Sequence, residues 1–396
     1  MKSLSLKDGR TVTIKSAGHE DIDQIMKLYD RVYSGSYPLK DVTDPQQIKK
    51  RIEDTNYFWP LAYHGKDLIA SVLFTVDQVN KLGKVYAAVV RDDFRGHDVM
   101  HEVSTLGIER LTKITRSCDV IYGTARTVSL APQVILEHLG FLPMGVFPNV
   151  RKVQSFETHG LEIYFREDSL KLRKKQPQLV PEVREFYHIV QSIIHLEDFK
   201  EIILPVFDPK DMGSPINFII NHDEADVHQK FELYQNKDYM EKVFFPFAEP
   251  NMLFVSENGD AEIFVNLCET DGNGTILGYR IQNTDLRRVL LWFCEAASKE
   301  KMRYLELLVN AYKPELQRIA LDAKFLPCAY FPAAKMNENG EREDYVVFSR
   351  SFESLDFMDM KLGQTNRRFL DAFMKCWYEM LLRCQPSFDG EEWRIV

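Results

Sequence analysis

A repeat limits what this chain can fold into. Residues 141–150 read FLPMGVFPNV and residues 325–334 read FLPCAYFPAA. Phe, Leu, Pro, Phe and Pro return at identical offsets, each time after an amphipathic helix and a buried strand. The strand before the first of those helices is DVIYGTA; before the second it is RYLELLV. Upstream of the second copy, 252–267 and 275–281 read as hairpin strands and Thr284 to Ala297 as a helix. A shared segment inside a shared element order points to a duplicated unit. Between the copies lies a charged stretch, Arg173-Lys174-Lys175, with Pro177 and Pro181. A helix follows, with Val183, Phe186, Ile189, Val190, Ile193 and Ile194 on one side. The chain ends on a helix at about 364–384, whose Phe369, Phe373, Trp377 and Leu381 form a packing face. The expected divisions are 1–172 and 211–355 for the copies, 173–210 for the link and 356–396 for the helical end.

Length agrees with two units, since 396 residues exceed what one core usually supports. A hydrophobic fraction of 45% and a charged fraction of 28% are ordinary for a globular chain. The net charge of −9 sets nucleic acid and anionic membrane aside as general partners, because a polyanion repels it. The N-terminal MKSLSLKDGRTVTIKSAG lacks the apolar core of a secretory signal. No run of about 18 apolar residues is present to span a bilayer. Cysteines 118, 268, 294, 328, 376 and 384 form no C-x-x-C pair and lie mostly in apolar segments, as reduced thiols of a cytoplasmic protein would.

In chain order, 11–18 reads as a strand, Asp21 to Val32 as a helix, about 45–54 as a second helix, and 58–64 with 67–76 as a hairpin. Next comes KVYAAVVRDDFRGHDVMHEV at 84–103. Its first residues form a strand apolar on both faces, and a polar turn leads into a helix opening near Asp98. Val99, Met100, Val103, Leu106, Leu111 and Ile114 give that helix its apolar stripe. A strand at 119–125, a helix from about Pro132 to Leu139, and strands near 143–148 and 160–166 complete the first copy. A strand running through an Arg-Gly turn into a helix N-terminus presents backbone N–H groups to an anion.

Over about residues 10–166 this order resembles the GNAT superfamily of acyl-CoA-dependent N-acyltransferases. Their pyrophosphate loop reads Arg/Gln-x-x-Gly-x-Gly/Ala, and Arg95-Gly96-His97-Asp98-Val99-Met100 fits its frame and first position. Asp98 and Met100 depart from its later positions. The Leu139-Gly140-Phe141 triplet falls where the family ends its final helix. The resemblance implies an α/β (α+β) fold of two tandem GNAT-like domains, each a mixed, mostly antiparallel sheet flanked by helices. It also implies an acyl-CoA substrate, acetyl-CoA in the simplest case, held by the first copy. Val89 and Val90 would then meet the pantetheine arm. The N–H groups of Arg95, Gly96, His97, Asp98, Val99 and Met100 would receive the pyrophosphate. Ser129 stands where the family usually has Asn, and Leu136 where it has the Tyr that protonates the departing thiolate. Tyr86 and Tyr122 remain as candidate catalytic hydroxyls.

Asp is a favoured helix N-cap, so Asp98 would compete with phosphate for the same donors. An unperturbed Tyr, with pKa about 10, is a poor base at neutral pH. The Tyr33–Pro38 turn and Tyr57-Phe58-Trp59 are the expected walls on the acceptor side. His97, His101 and Glu102 do not form H-E-x-x-H, and no metal is expected. The second copy has no glycine between Gly278 and Gly340, so its loop Asn283–Arg288 lacks the phosphate-binding glycines. Its expected part is to complete the acceptor pocket or brace the first copy. Acceptors left open are a small amine, an amino acid or a protein lysine. The competing readings are a non-catalytic pair used for binding or assembly, and acyl transfer from a carrier protein's phosphopantetheine.

Overall fold

Local alternation and capping produce two runs of elements in the same order. The first is β1 (Lys2–Ser5), β2 (Thr11–Ser16), α1 (Ile22–Tyr33), α2 (Lys40–Thr43), α3 (Pro45–Glu53), β3 (Tyr57–Phe58), β4 (Pro60–His64), β5 (Asp67–Asp77), β6 (Leu82–Val90), α4 (Val99–Glu109), β7 (Val120–Arg126), α5 (Ala131–His138), β8 (Leu142–Lys152) and β9 (Phe156–Phe165). A link follows with β10 (Gln178–Leu179), α6 (Arg184–Ile194) and β11 (Lys200–Glu201). The second run is β12 (Phe218–Asn221), α7 (Glu224–Lys237), β13 (Glu241–Lys242), β14 (Met252–Ser256), β15 (Ala261–Cys268), β16 (Asn273–Ile281), α8 (Leu286–Lys299), β17 (Tyr304–Asn310), α9 (Pro314–Asp322), β18 (Leu326–Met336) and β19 (Arg342–Ser351), and α10 (Gln364–Arg383) is the last element among the described residues. This is a computed structural model, and it describes residues 2–35, 37, 39–152, 155–207 and 213–383.

The central strand is built alike in both halves. In the first, β6 runs antiparallel to β5 and carries an extra residue between Tyr86 and Val89. In the second, β16 carries an extra residue between Ile276 and Gly278 against β15. A bulge bends the strand that holds it. Accordingly β6 pairs in parallel with β7 only from Leu82 to Val85, and β16 with β17 only from Asn273 to Thr275. Beyond those points the strands splay.

The repeated segment lies in the last hairpin of each half. Register shifts fall at Pro143/Gly145 and Phe147/Arg151 in β8, and at Pro327/Ala329 and Phe331/Lys335 in β18. Asn149 and Ala333, at the same place in the second shift, both take left-handed backbone, φ 59° and 54°. Phe141 and Phe325 are therefore equivalent, as are Pro148 and Pro332.

β8 and β18 meet antiparallel, with Gly145 opposite Ala329. These are one position of the repeat facing itself, which places a local two-fold axis between the halves. The contact joins them into one sheet of 17 strands. Each hairpin tip also reaches the base of the other half's central strand. Met336 N–H donates to Asn80 Oδ1 at 3.1 Å, and Arg342 Nη1 donates to the Asn80 carbonyl at 2.8 Å. Reciprocally, Arg151 Nε lies 3.3 Å from Asp271 Oδ1, and Asn273 Nδ2 donates to the Val150 carbonyl at 3.1 Å.

Several expectations need correction. Arg173, part of the charged stretch expected to link the copies, is buried and pairs with Asp344 at 2.6 Å. Ile114 was placed on the apolar stripe of α4 but is 73% exposed. Past Arg110 the helix widens into a π turn over Arg110–Ile114, which shifts the face it presents. In α10, Phe369 and Phe373 are buried as expected, while Leu381 near the helix end is exposed. Cys118, Cys294, Cys328 and Cys376 are buried free thiols and Cys268 is half-buried; Cys384, Ser36 and Pro38 lie outside the described residues. Among the described residues no helix is long and apolar enough to cross a membrane.

Met144, Val146, Phe147, Leu161 and Ile163 of the first half share one buried cluster with Phe325, Tyr330 and Phe348 of the second. A fragment of residues 1–172 alone would expose that surface and should self-associate. Light scattering on the purified fragment checks this; a monomeric, cooperatively folded fragment would contradict it.

Candidate active site

The splay leaves one edge of β6 open. Val89 and Val90 pair with Ser71 and Ala70 of β5 on one side, while β7 has already left the other. At the bulge Ala87 takes φ 53°, and its carbonyl accepts a hydrogen bond from the buried Tyr29 hydroxyl. Both β6 residues assigned to the pantetheine arm thus lie where an extended ligand can lie alongside backbone.

β6 then leads into the turn before α4. Gly96 and Asp98 both have left-handed backbone, φ 78° and 58°. An N-cap needs extended backbone to turn its carboxylate onto the helix. Asp98 therefore makes no side-chain cap bond, contrary to the sequence expectation. Its carboxylate turns outward to Lys7 Nζ at 2.7 Å, and that hydrogen bond holds its pKa below the usual carboxylate range. Among the described residues no side chain caps the first-turn N–H groups of α4. Val99 and Met100 bury their side chains, so only their backbone can face a ligand. Arg95, exposed and paired with Asp92 at 2.6 Å, and His97, 3.4 Å from Asp8, flank the turn.

The second half makes the opposite choice with the same residue. Asp285 stands just before α8 as Asp98 does before α4, but with extended backbone, φ −92° and ψ 129°. Its carboxylate accepts from Arg287 N–H at 2.8 Å and Arg288 N–H at 3.3 Å. That helix end is closed by its own cap.

On the acceptor side Tyr86 donates its hydroxyl proton to Asp41 Oδ2 at 2.8 Å, and Asp41 pairs with Arg51 at 3.0 Å. Burial first, then the Asp41 charge, push the Tyr86 pKa far up, so its hydroxyl is a held donor and not a base. Tyr122 points between the halves, its ring 5.4 Å from Phe331 and 6.0 Å from Phe247. Burial raises its pKa well above the ordinary value too. Ser129 is half-buried ahead of α5, and its carbonyl accepts from Gln133 at 3.5 Å.

The rings of Tyr33 and Tyr37 lie 4.5 Å apart, tilted by 39°, with Tyr29 5.0 Å from Tyr37, so the described residues of that turn gather into an aromatic cluster. Phe58 and Trp59 do not. Both are buried, Trp59 donating from Nε1 to Ser71 Oγ at 2.7 Å and Phe58 lying under Arg110, so they belong to the core. Two residues escaped the sequence reading. Lys84 sits beside Tyr122 in register, and burial holds its pKa below the ordinary value. Glu306 of β17 is pushed up to about 7 by burial, with Tyr304 and Lys84 pulling the other way. Their signal was a lone charge within each of two otherwise apolar strands, LGKVYAAVV and YLELLVN.

No protein-family profile and no curated relative matches this sequence. Among solved structures the chain is similar to the ribosomal-protein-S5-alanine acetyltransferase from Vibrio fischeri, at 14% identity and TM-score 0.36 over 42% of this chain and 98% of that one. It is similar to an acetyltransferase of the GNAT family from Streptococcus pneumoniae, at 15% identity and TM-score 0.35 over 39% and 99%. A third is the ribosomal-protein-S18-alanine N-acetyltransferase from Escherichia coli, at 15% identity and TM-score 0.34 over 39% and 94%. Each match spans about two fifths of this chain. Each half of the chain has a mixed, mostly antiparallel sheet flanked by helices, with a bulged central strand that splays from its parallel neighbour.

Proposed function

We propose that the first half binds an acyl-CoA, acetyl-CoA in the simplest case, and transfers the acyl group to an amine. The observation that carries this reading is the uncapped N-terminus of α4 at the end of a half-open β6, set against the self-capped counterpart in the second half. Backbone N–H groups from Arg95 to Met100 would hold the pyrophosphate, and a helix N-terminus favours that charge. The open edge at Val89 and Val90 would carry the pantetheine arm and lay the thioester at the splay. There a neutral amine attacks the thioester carbon directly. Backbone N–H groups of the strand edge stabilise the oxyanion, and the chain forms no covalent intermediate. Tyr33, Tyr37 and the Tyr86–Asp41 pair supply aromatic and acidic surface suited to an amine acceptor.

Isothermal calorimetry with CoA and acetyl-CoA tests the binding. Asp98→Gly should keep or tighten affinity, because it removes a like charge and puts glycine at a left-handed position. Arg95→Ala should weaken affinity by roughly tenfold, the size of one charge-assisted hydrogen bond. Unchanged affinity in both variants would place the ligand elsewhere.

A further inference from the structure

We infer that Glu306, carried by the second half, takes the proton from the amine acylated in the first half's cleft. This rests on the acyl-CoA reading above, and it supplies the group that reading lacks. No carboxylate projects from β6, Tyr86 is held by Asp41, and Leu136 has nothing to ionise.

The placement follows from the two-fold frame. Tyr122 pairs with Ile163 of β9, and Glu306 pairs with Ser349 of β19. The two hairpins match register for register, so Tyr122 and Glu306 are the same position of the repeat. Across a two-fold axis a contact made by one half is answered by the equivalent contact from the other. Tyr122 accordingly packs on Phe331 and Phe247 of the second half, while Glu306 feels the charge of Lys84 in the first. The groups facing Glu306 are Lys84 from β6, Tyr122 from β7, Tyr304 from its own strand, Cys328 from β18 and Ser349 from β19. Lys84, Tyr86 and Tyr122 are half-buried and Glu306 is 8% exposed. Lys84 lies where β6 and β7 begin to part, beside the place the reading gives the thioester.

In the reaction the amine nitrogen bonds to the thioester carbon and the carboxylate of Glu306 accepts one of its protons. The C–S bond breaks with its electron pair leaving on sulfur. The proton then passes from Glu306 to the thiolate, which restores the carboxylate without an outside acid. A base whose pKa lies near the working pH suits this task, and burial has moved Glu306 to about 7.

The test uses the full chain, acetyl-CoA, and butylamine, putrescine and free lysine as acceptors, from pH 6 to 10. Wild-type transfer should fall on the acid side of about pH 7. Glu306→Gln should bind acetyl-CoA as wild type does and lose about a hundredfold in transfer at pH 7, recovering as the free amine accumulates at alkaline pH. Glu306→Asp, which keeps a carboxylate, should restore part of the rate and guards against a folding defect in the amide variant. Lys84→Met removes the positive charge that lowers Glu306, so the acid limb should move to higher pH; packing alone would not move it. A Gln variant with wild-type turnover and pH profile overturns the proposal and leaves the binding reading intact. A wild type that binds acetyl-CoA and acylates none of the amines overturns it as well. Absence of acetyl-CoA binding would instead remove the reading beneath it.

Discussion

Replacing Gly145 with alanine should destabilise the protein by about 3 kcal/mol, the upper end of what an overpacked core ordinarily costs. A Cβ built on Gly145 falls 2.1 Å from the Ala329 Cβ, 2.4 Å from its Cα and 2.8 Å from the Cys328 carbonyl oxygen. None of these is the far end of a flexible side chain, so relief requires the two strands to part at the contact that joins the halves. Because the two positions are equivalent, the junction has room for one Cβ and is nearly indifferent to which strand carries it. Ala329→Gly alone should cost no more than about 1 kcal/mol, a backbone-freedom effect. The double exchange, Gly145→Ala with Ala329→Gly, should return most of the stability lost in the single variant. Urea unfolding midpoints of the four proteins decide this. A Gly145→Ala protein as stable as wild type would mean that the strands do not cross there.

Asp344→Ala is the second large effect, expected at about 3–5 kcal/mol because it takes from a buried guanidinium its one buried carboxylate partner. Asp344 is fully buried and accepts from Arg173 Nε at 2.8 Å, from the Tyr330 hydroxyl and from Ala333 N–H at 2.9 Å. Losing the carboxylate strands three donors at once. Arg173 keeps Glu197 at 2.8 Å, a half-exposed partner that cannot replace the buried one. Removing both charges, as in Arg173→Met with Asp344→Ala, should be milder than removing Asp344 alone, since no bare charge then stays inside. Chemical denaturation of the single and double variants separates the cases. A single variant within about 1 kcal/mol of wild type would show that the pair is not buried as described.

Much of the fold was legible because its causes are local. Strand alternation, Pro132 in the first turn of α5 and Gly140 just past its end mark elements from nearby residues alone. The duplication showed in FLPMGVFPNV and FLPCAYFPAA, which proved to carry the same bulges. What could not be read depends on partners distant in the chain. Arg173 reads only as part of a charged link until Asp344 is placed beside it. Phe58 and Trp59 look like cleft walls until the core closes over them. Asp98 and Asp285 are one residue type at one place in the repeat, and only φ separates an open helix end from a capped one. Glu306 was visible as a charge out of place, but its facing group, Lys84, lies in the other half.

The axis through Gly145 and Ala329 has a consequence for stoichiometry. Two identical subunits around such an axis would have to carry the same residue at both equivalent positions, and every feature would come in pairs. Joining the copies in one polypeptide removes that obligation. One side can hold glycine while the other holds alanine, and one helix end can stay open while its twin is sealed. A tyrosine can answer a glutamate across the same cleft. A homodimer of this shape would be a two-site molecule with both sites equal. This chain has the frame of such a dimer and is free to devote one side to holding a ligand and the other to acting upon it.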